Sequence, residues 1–492
     1  MTSSAEKPYS LALVVVPIAT ALVLVASIFD ILKLEAAPMV ALIVLLWLVP
    51  VFCNGPHGIV LLWLGLPLIP EIARTPFVSM GHLGSILLLP ADIPYFFTIV
   101  YLIVAATTRP REIFKTLRAD RFLTLFLLMV VVSVLINSPR YGKMAIGDAR
   151  KTFFFFLFPL LAGMSIKTLK DLRRLALDVH LLAVCISLVG FVMLIQHPTI
   201  DRYGFVNGEV ALVVLFALFS LLVFHANGLV LISTAVDAAS FVLFLSVLLI
   251  SRTRSVYLGG GLGMLCLYVL RRDKAVLLLK TAALGTVLAV AAWVAFESKP
   301  SLTVEFVKPV AGLFHPYSDQ NASWRMEGWR KRLASLSDTE LLFGTGMGNY
   351  STWYYGNEAV TAPAHDVYVE IVLKLGVVGL ILYALLVFSF LRRMLRVRNR
   401  LPRGLVRACV EAGVVNFMAA QACMIAYDFA LITLVFYGLG IAGAGLFASE
   451  EAQTSAQAHE IYNSAFSTGS YCGEGAMNYP TETSREIRAS AR

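Results

Sequence analysis

Basic side chains and one histidine are the residues of this chain best suited to chemistry. Arg252 and Arg254 stand in a very short turn, Ser251-Arg-Thr-Arg-Ser255, between two apolar runs, and Arg202 stands in Asp201-Arg-Tyr-Gly204. Arg150 closes the short outer loop expected at 137–151, which also holds Arg140, Lys143 and Lys151. Arginine presents a planar fork of donors that grips phosphate through two hydrogen bonds, so several arginines converging on one cavity would clamp a diphosphate. Single basic residues at helix ends also snorkel to lipid phosphates, a role that suits Lys143 and Lys151. The polar stretch 297–365 adds Arg325, Arg330, Lys331 and Arg332, with Trp324, Trp329 and Trp353 among the chain's six tryptophans. It ends on Ala364-His365-Asp366, with Pro363 marking the turn into a helix from about Asp366. There the helix dipole favours a neutral imidazole able to accept a proton, and exposed amides attract anions. A capping or interfacial histidine without chemistry would occupy the same position.

The elements that must position these residues are apolar helices. Hydrophobic residues make up 58% of the chain and charged residues 14%, against about 25% charged in soluble domains. A helix crosses the hydrocarbon with roughly 20 apolar residues. Candidate spans are 11–32, 38–53, 59–70, 83–106, 122–136, 152–166, 177–196, 210–225, 229–250, 256–270, 275–296, 367–391, 408–427 and 430–447. Because 38–53 and 59–70 are short enough for a re-entrant hairpin, the expectation is an all-α polytopic membrane protein of 12–14 transmembrane helices. One long external loop precedes the last three. Lys and Arg in short loops stay on the cytoplasmic side. The clusters at 109–121, 167–174, 271–274 and 392–407 fall on one side together with both termini, and the loop 297–365 falls on the other. The first hydrophobic run has no small-residue cleavage site and is expected to stay as a span.

The net charge of +9 fits cytoplasmic loops facing anionic headgroups and gives no reason to invoke nucleic acid. No cysteine lies in the external loop, so neither a disulfide nor a zinc site is available there, and no cofactor or metal is expected. The expected organisation is 1–201, N-terminal helices; 202–391, a core including the external loop; 392–448, a basic loop and the last two helices; and 449–492, a Ser-, Ala-, Thr- and Glu-rich tail without periodicity.

Within the loop, Ser323 to Leu336 reads as an amphipathic helix, with Arg325 and Arg332 projecting together and Trp324, Trp329, Leu333 and Leu336 facing membrane or protein. A helix lying in the headgroup layer has the same pattern. Gly344-Thr-Gly346-Met-Gly348 lacks the Lys-Ser/Thr ending of a nucleotide-binding loop and reads as a tight turn where backbones pack closely.

Phe343-Gly-Thr-Gly-Met-Gly-Asn-Tyr350, then Ala364-His-Asp-Val-Tyr-Val-Glu370 and Gly376-Val-Val-Gly379, resemble the signature of the O-antigen ligase and O-antigen polymerase superfamily. Ser251-Arg252 resembles the Ser-Arg at the external end of a preceding helix in that family, and Arg202 to Asn207 its loop into the core. The similarity covers about 202–388. Asp366 stands where the pattern has Asn, and Lys374 where an acidic residue is common.

The resemblance implies a glycosyltransferase of the bacterial inner membrane with its active site in the periplasm. Its donor would be an undecaprenyl-diphosphate-linked glycan, and its acceptor lipid A-core for a ligase or another lipid-linked glycan for a polymerase. His365 would be the base or the residue that orients the acceptor, Arg252 and Arg254 the diphosphate clamp, and Arg202, Arg150, Arg325, Arg330, Arg332 and Asp366 substrate contacts. The competing class is a secondary transporter, suggested by Leu89-Pro-Ala-Asp92-Ile-Pro94 alone.

Overall fold

The structure is a computed structural model that describes residues 56–65, 81–83, 86–88, 92–111, 121–153, 161–162, 164–196, 208–251, 253–271, 320–349, 352–355, 358–360, 364, 366–425 and 440–447, with 48 and 437–438. Spans expected at 11–32, 38–53 and 275–296 and the tail 449–492 lie outside these residues, apart from residue 48, as do Arg202, Arg252, His365 and the side chain of Arg150.

The described helices are α1 Pro56–Gly65, α2 Asp92–Thr108, α3 Arg121–Tyr141, α4 Lys143–Phe153, α5 Leu169–Gln196 and α6 Gly208–Ala226. They continue with α7 Thr234–Ser251, α8 Arg254–Leu270, α9 Gln320–Ala334, α10 Asp338–Phe343, α11 Val367–Arg400 and α12 Leu405–Cys423. Three stretches, Arg121–Tyr141, Leu169–Val192 and Val367–Arg400, are long and apolar enough to cross a membrane, and shorter apolar helices include Ala211–Ala226 and Arg254–Leu270. The chain is therefore a predominantly helical membrane protein.

The fold is helical as expected, with two short antiparallel hairpins beside the helices: β1 Gly81–Leu83 pairs with β2 Ile86–Leu88, and β3 Trp353–Tyr355 with β4 Glu358–Val360. Each pair is separated in sequence by two residues that include glycine, Gly84-Ser85 and Gly356-Asn357, the spacing that favours tight hairpins. Two expectations are corrected. The run expected as one helix over 83–106 divides into β1–β2 and then α2. Asp92 opens that helix, and Pro94 is tolerated because first-turn amides need no intrahelical acceptor. The stretch 137–151 is not a loop. α3 continues to Tyr141, and α4 follows after Gly142, whose φ of 52° turns the chain.

Helix α12 is the centre of the bundle. Nearly every residue from Ala408 to Cys423 is buried, and α5, α6, α8 and α11 pack around it. Small residues allow the close approach to α8: a Cβ at Gly259 would fall 2.2 Å from Cys423 Sγ and 2.8 Å from the Ala419 carbonyl oxygen. At one end of the bundle the Glu411 carboxylate, fully buried, accepts from Arg271 Nε at 2.9 Å, Arg398 Nε at 2.9 Å, Arg407 Nε at 3.1 Å and Asn227 Nδ2 at 2.9 Å. Arg398 also donates to the Leu270 carbonyl. Residues at or just past the C-terminal ends of α6 and α8, and near that of α11, thus meet the beginning of α12. These three helices run parallel to one another and antiparallel to α12, so all three begin at the opposite end.

Candidate functional site

That opposite end gathers the candidate residues. Cys423 Sγ, at the end of α12, donates to the Ser255 carbonyl at 3.1 Å, and the Val367 amide donates to the Met424 carbonyl at 3.1 Å. The first turns of α8 and α11 therefore rest against the same few residues of α12. Arg254, half-buried, is the first residue of α8. Thr253 caps that helix in an extended conformation, but its hydroxyl donates to the Ser251 carbonyl at 3.2 Å instead of accepting from a first-turn amide. α6 begins at this end shortly after Arg202. Three parallel helices thus present the positive ends of their dipoles to one region.

The two residues that bracket His365 in the chain are fixed. Asp366 is 5% exposed, and its Oδ1 accepts the Val369 amide at 2.8 Å, a helix N-cap. Burial pushes its carboxyl up to about 6, opposed by the hydrogen bonds from the Val369 and Tyr368 amides. On the other side, the Ala364 carbonyl accepts from Trp329 Nε1 at 2.6 Å and the Ala364 amide donates to Glu370 Oε2 at 3.1 Å. One side chain of α9 and one of α11 hold this residue from both faces.

Arg332 and Glu370 link these contacts. Arg332 is 5% exposed. Burial draws its guanidinium below the ordinary value, and the nearby Glu370 carboxylate opposes that. Arg325 is half-buried and Arg330 exposed on the same helix, so Arg332 is the arginine of α9 turned inward. Trp324 lies 5.4 Å from the Trp353 ring, and a Cβ at Gly328 would fall 2.6 Å from that ring. These two tryptophans pack α9 onto β3.

The Gly-rich turn after α10 sits against a break in α11. Gly376 has φ 71° and ψ −175° inside the helix, so the carbonyls before it are released from the α-helical ladder. The Thr345 amide takes the Leu373 carbonyl at 2.8 Å and the Gly346 amide takes the Lys374 carbonyl at 3.2 Å. The backbones touch: a Cβ at Gly344 would lie 2.3 Å from the Lys374 carbonyl carbon, and one at Gly376 2.1 Å from the Leu342 oxygen. With both glycines at positive φ, the pairing requires glycine on both sides.

Sequence reasoning missed the group that locks this turn. Lys374 Nζ lies 2.7 Å from Asp148 Oδ2 and 3.8 Å from Glu370 Oε1, and it donates to the Asn349 carbonyl at 2.5 Å. The signal was present, since a lysine inside an apolar helix demands a counter-charge. Arg150 stands on the same helix as Asp148. The structure thus sets Arg332, through Glu370, beside the helix start that Asp366 caps, and puts the start of α8, where Arg254 stands, against the same end of α12; it leaves Arg330 exposed on α9 and Arg325 half-buried.

A helical membrane protein with a long inter-helix segment, a glycine turn and an Ala-His-Asp helix start is the class these features define. Residues 239–384 match the family model described as O-antigen ligase, which supports the resemblance of this part of the chain to the O-antigen ligase and polymerase superfamily. The match includes Arg252, Arg254, the three α9 arginines, His365 and Asp366, and excludes Arg150 and Arg202. No curated protein matches the chain.

Proposed function

We propose that the chain is a glycosyltransferase of the bacterial inner membrane, acting at the periplasmic face on an undecaprenyl-diphosphate-linked glycan. In this reading it transfers the glycan to lipid A-core as a ligase, or to another lipid-linked glycan as a polymerase. Both termini and the arginines at 392–407 lie in the cytoplasm, and the α9–β4 segment lies outside. The observation that supports the reading is the shared beginning of α8 and α11 at one end of the bundle, where Ser255, next to Arg254, and Val367, next to Asp366, bond to the end of α12.

An acceptor hydroxyl attacks the anomeric carbon, its proton passes to His365, and the C–O bond to the diphosphate breaks. Negative charge gathers on the departing diphosphate. Arg252 and Arg254 and the first-turn amides of α8 neutralise it, so this chemistry asks for no metal ion. Arg332 contacts the glycan from the loop side, and Arg202, Arg150, Arg325 and Arg330 extend the basic surface.

The test is a deletion strain complemented with wild type or His365→Ala, comparing surface and undecaprenyl-linked glycans. Long polymer stranded on undecaprenyl diphosphate identifies a ligase. Single transferred repeats that never lengthen identify a polymerase. Normal glycans in the deletion strain overturn the glycosyltransferase reading, while normal glycans with a well-expressed His365→Ala overturn the role of His365.

A further inference from the structure

The segment between α9 and α11 carries large apolar residues that are exposed among the described residues. Leu341, Leu342 and Phe343, on consecutive positions of α10, are 41%, 50% and 61% exposed. From Leu341 to Gly348 the sequence holds no charged residue. An aqueous loop would not gain by presenting three large apolar side chains side by side.

Two spans act as rulers for where this segment sits. The Met347 amide donates to Ser133 Oγ at 3.2 Å. α3 has 21 residues, about 31 Å and close to the thickness of the hydrocarbon, and Ser133 lies about 12 Å along it from Tyr141. On α11, the helix from the break at Gly376 down to Leu391, before the first arginines, is about 22 Å long, so Gly376, which meets the Leu342 carbonyl, lies about 8 Å short of the far boundary of a hydrocarbon layer about 30 Å thick. Both rulers put the end of α10 below the surface. Exposed Val132, Leu135 and Ile136 on α3 and Ile381, Leu385 and Phe388 on α11 continue the apolar face to either side.

Non-helical backbone survives at such depth only when its polar groups are satisfied by protein. That condition is met here: amides at Thr345, Gly346, Met347 and Gly348 bond to Leu373, Lys374, Ser133 and Asp148 respectively. We propose that α10 and the glycine turn form a re-entrant element, with Leu341, Leu342 and Phe343 inserted among the lipid acyl chains beside α3 and α11. The inference rests on α3 and α11 crossing the membrane and is independent of any transfer reaction.

The test uses the unmodified full chain in phosphatidylethanolamine and phosphatidylglycerol vesicles. One sample contains phospholipid with a diazirine in its acyl chain, and another receives a water-soluble diazirine. After irradiation, adducts are mapped by peptide mass spectrometry. Acyl-chain adducts on Leu341–Phe343 at a level comparable to Ile136 and Ile381, with the aqueous adducts lost, are expected. Labelling of these residues by the aqueous probe, or by neither probe while Ile136 and Ile381 take lipid adducts, overturns the proposal.

Discussion

Asp148 Oδ2 receives both Lys374 Nζ, at 2.7 Å, and the Gly348 amide, at 2.8 Å. One carboxylate oxygen on α4 therefore holds the glycine turn and the kinked part of α11 at once, with both charged side chains almost wholly buried.

Breaking this pair from one side leaves a buried charge alone. Lys374→Met is expected to destabilise the protein by about 3–5 kcal/mol, and the double variant Lys374→Met/Asp148→Leu by less than the single one. Thermal unfolding of the purified protein in detergent measures both. A double variant no more stable than Lys374→Met would show that Asp148 is not the partner that matters.

Glu370 positions the residue before His365 without having to touch substrate. Glu370→Ala strips an acceptor from the Ala364 amide and a counter-charge from Arg332, and is expected to cost about 1–3 kcal/mol. Glu370→Gln retains an acceptor and should recover part of the glycan transfer. A structural role alone would move the unfolding temperature of both variants and leave transfer per folded molecule unchanged.

Arg254 opens α8 where the Thr253 hydroxyl leaves the first-turn amides to other partners. Arg254→Ala should lower transfer by ~10²–10³, with Arg254→Lys intermediate because a point charge replaces a two-pronged donor. The comparison is made at equal protein level in membranes. Equal transfer by all three proteins would remove Arg254 from the diphosphate site.

Asp366 gives a pH signature with a definite sign. Burial raises its carboxyl from 3.8 to about 6, so the folded state holds the proton more tightly than the unfolded state. Its contribution to stability is present below about pH 4 and is lost as pH rises through about 6. Asn caps a helix equally well and does not titrate here. The stability of wild type relative to Asp366→Asn is therefore expected to fall between pH 4 and 6, read as unfolding temperature against pH. A constant difference would contradict the burial of this carboxyl.

The apolar helices were largely legible, because a helix surrounded by lipid or protein is written as an unbroken apolar run: 256–270 and 367–391 nearly coincide with the beginnings of α8 and α11. The end of α8 at Leu270 was legible too, but the far end of α11 was not, since that helix continues to Arg400 through the basic residues. The hairpins escaped because Gly84-Ser85 and Gly356-Asn357 are turn signals too short to register beside apolar runs. In the site, Asp366 as a helix cap was readable from its place before Val367. Arg332 could not be separated from Arg325 and Arg330, because the facing of a helix depends on what packs against it. Lys374 was visible as an oddity, but Asp148, more than 200 residues earlier, was not identifiable as its partner.

The cluster around Glu411 also sets a timetable for the growing chain. Arg271 stands 140 residues before the carboxylate it meets, and Asn227 stands 184 before it. At about 5–20 residues per second, the ends of α6 and α8 are in place on the order of ten seconds before α12 emerges. The bundle can close only when that late helix slides between partners already inserted, so a ribosome stalled before residue 405 would leave behind a set of helices with no centre.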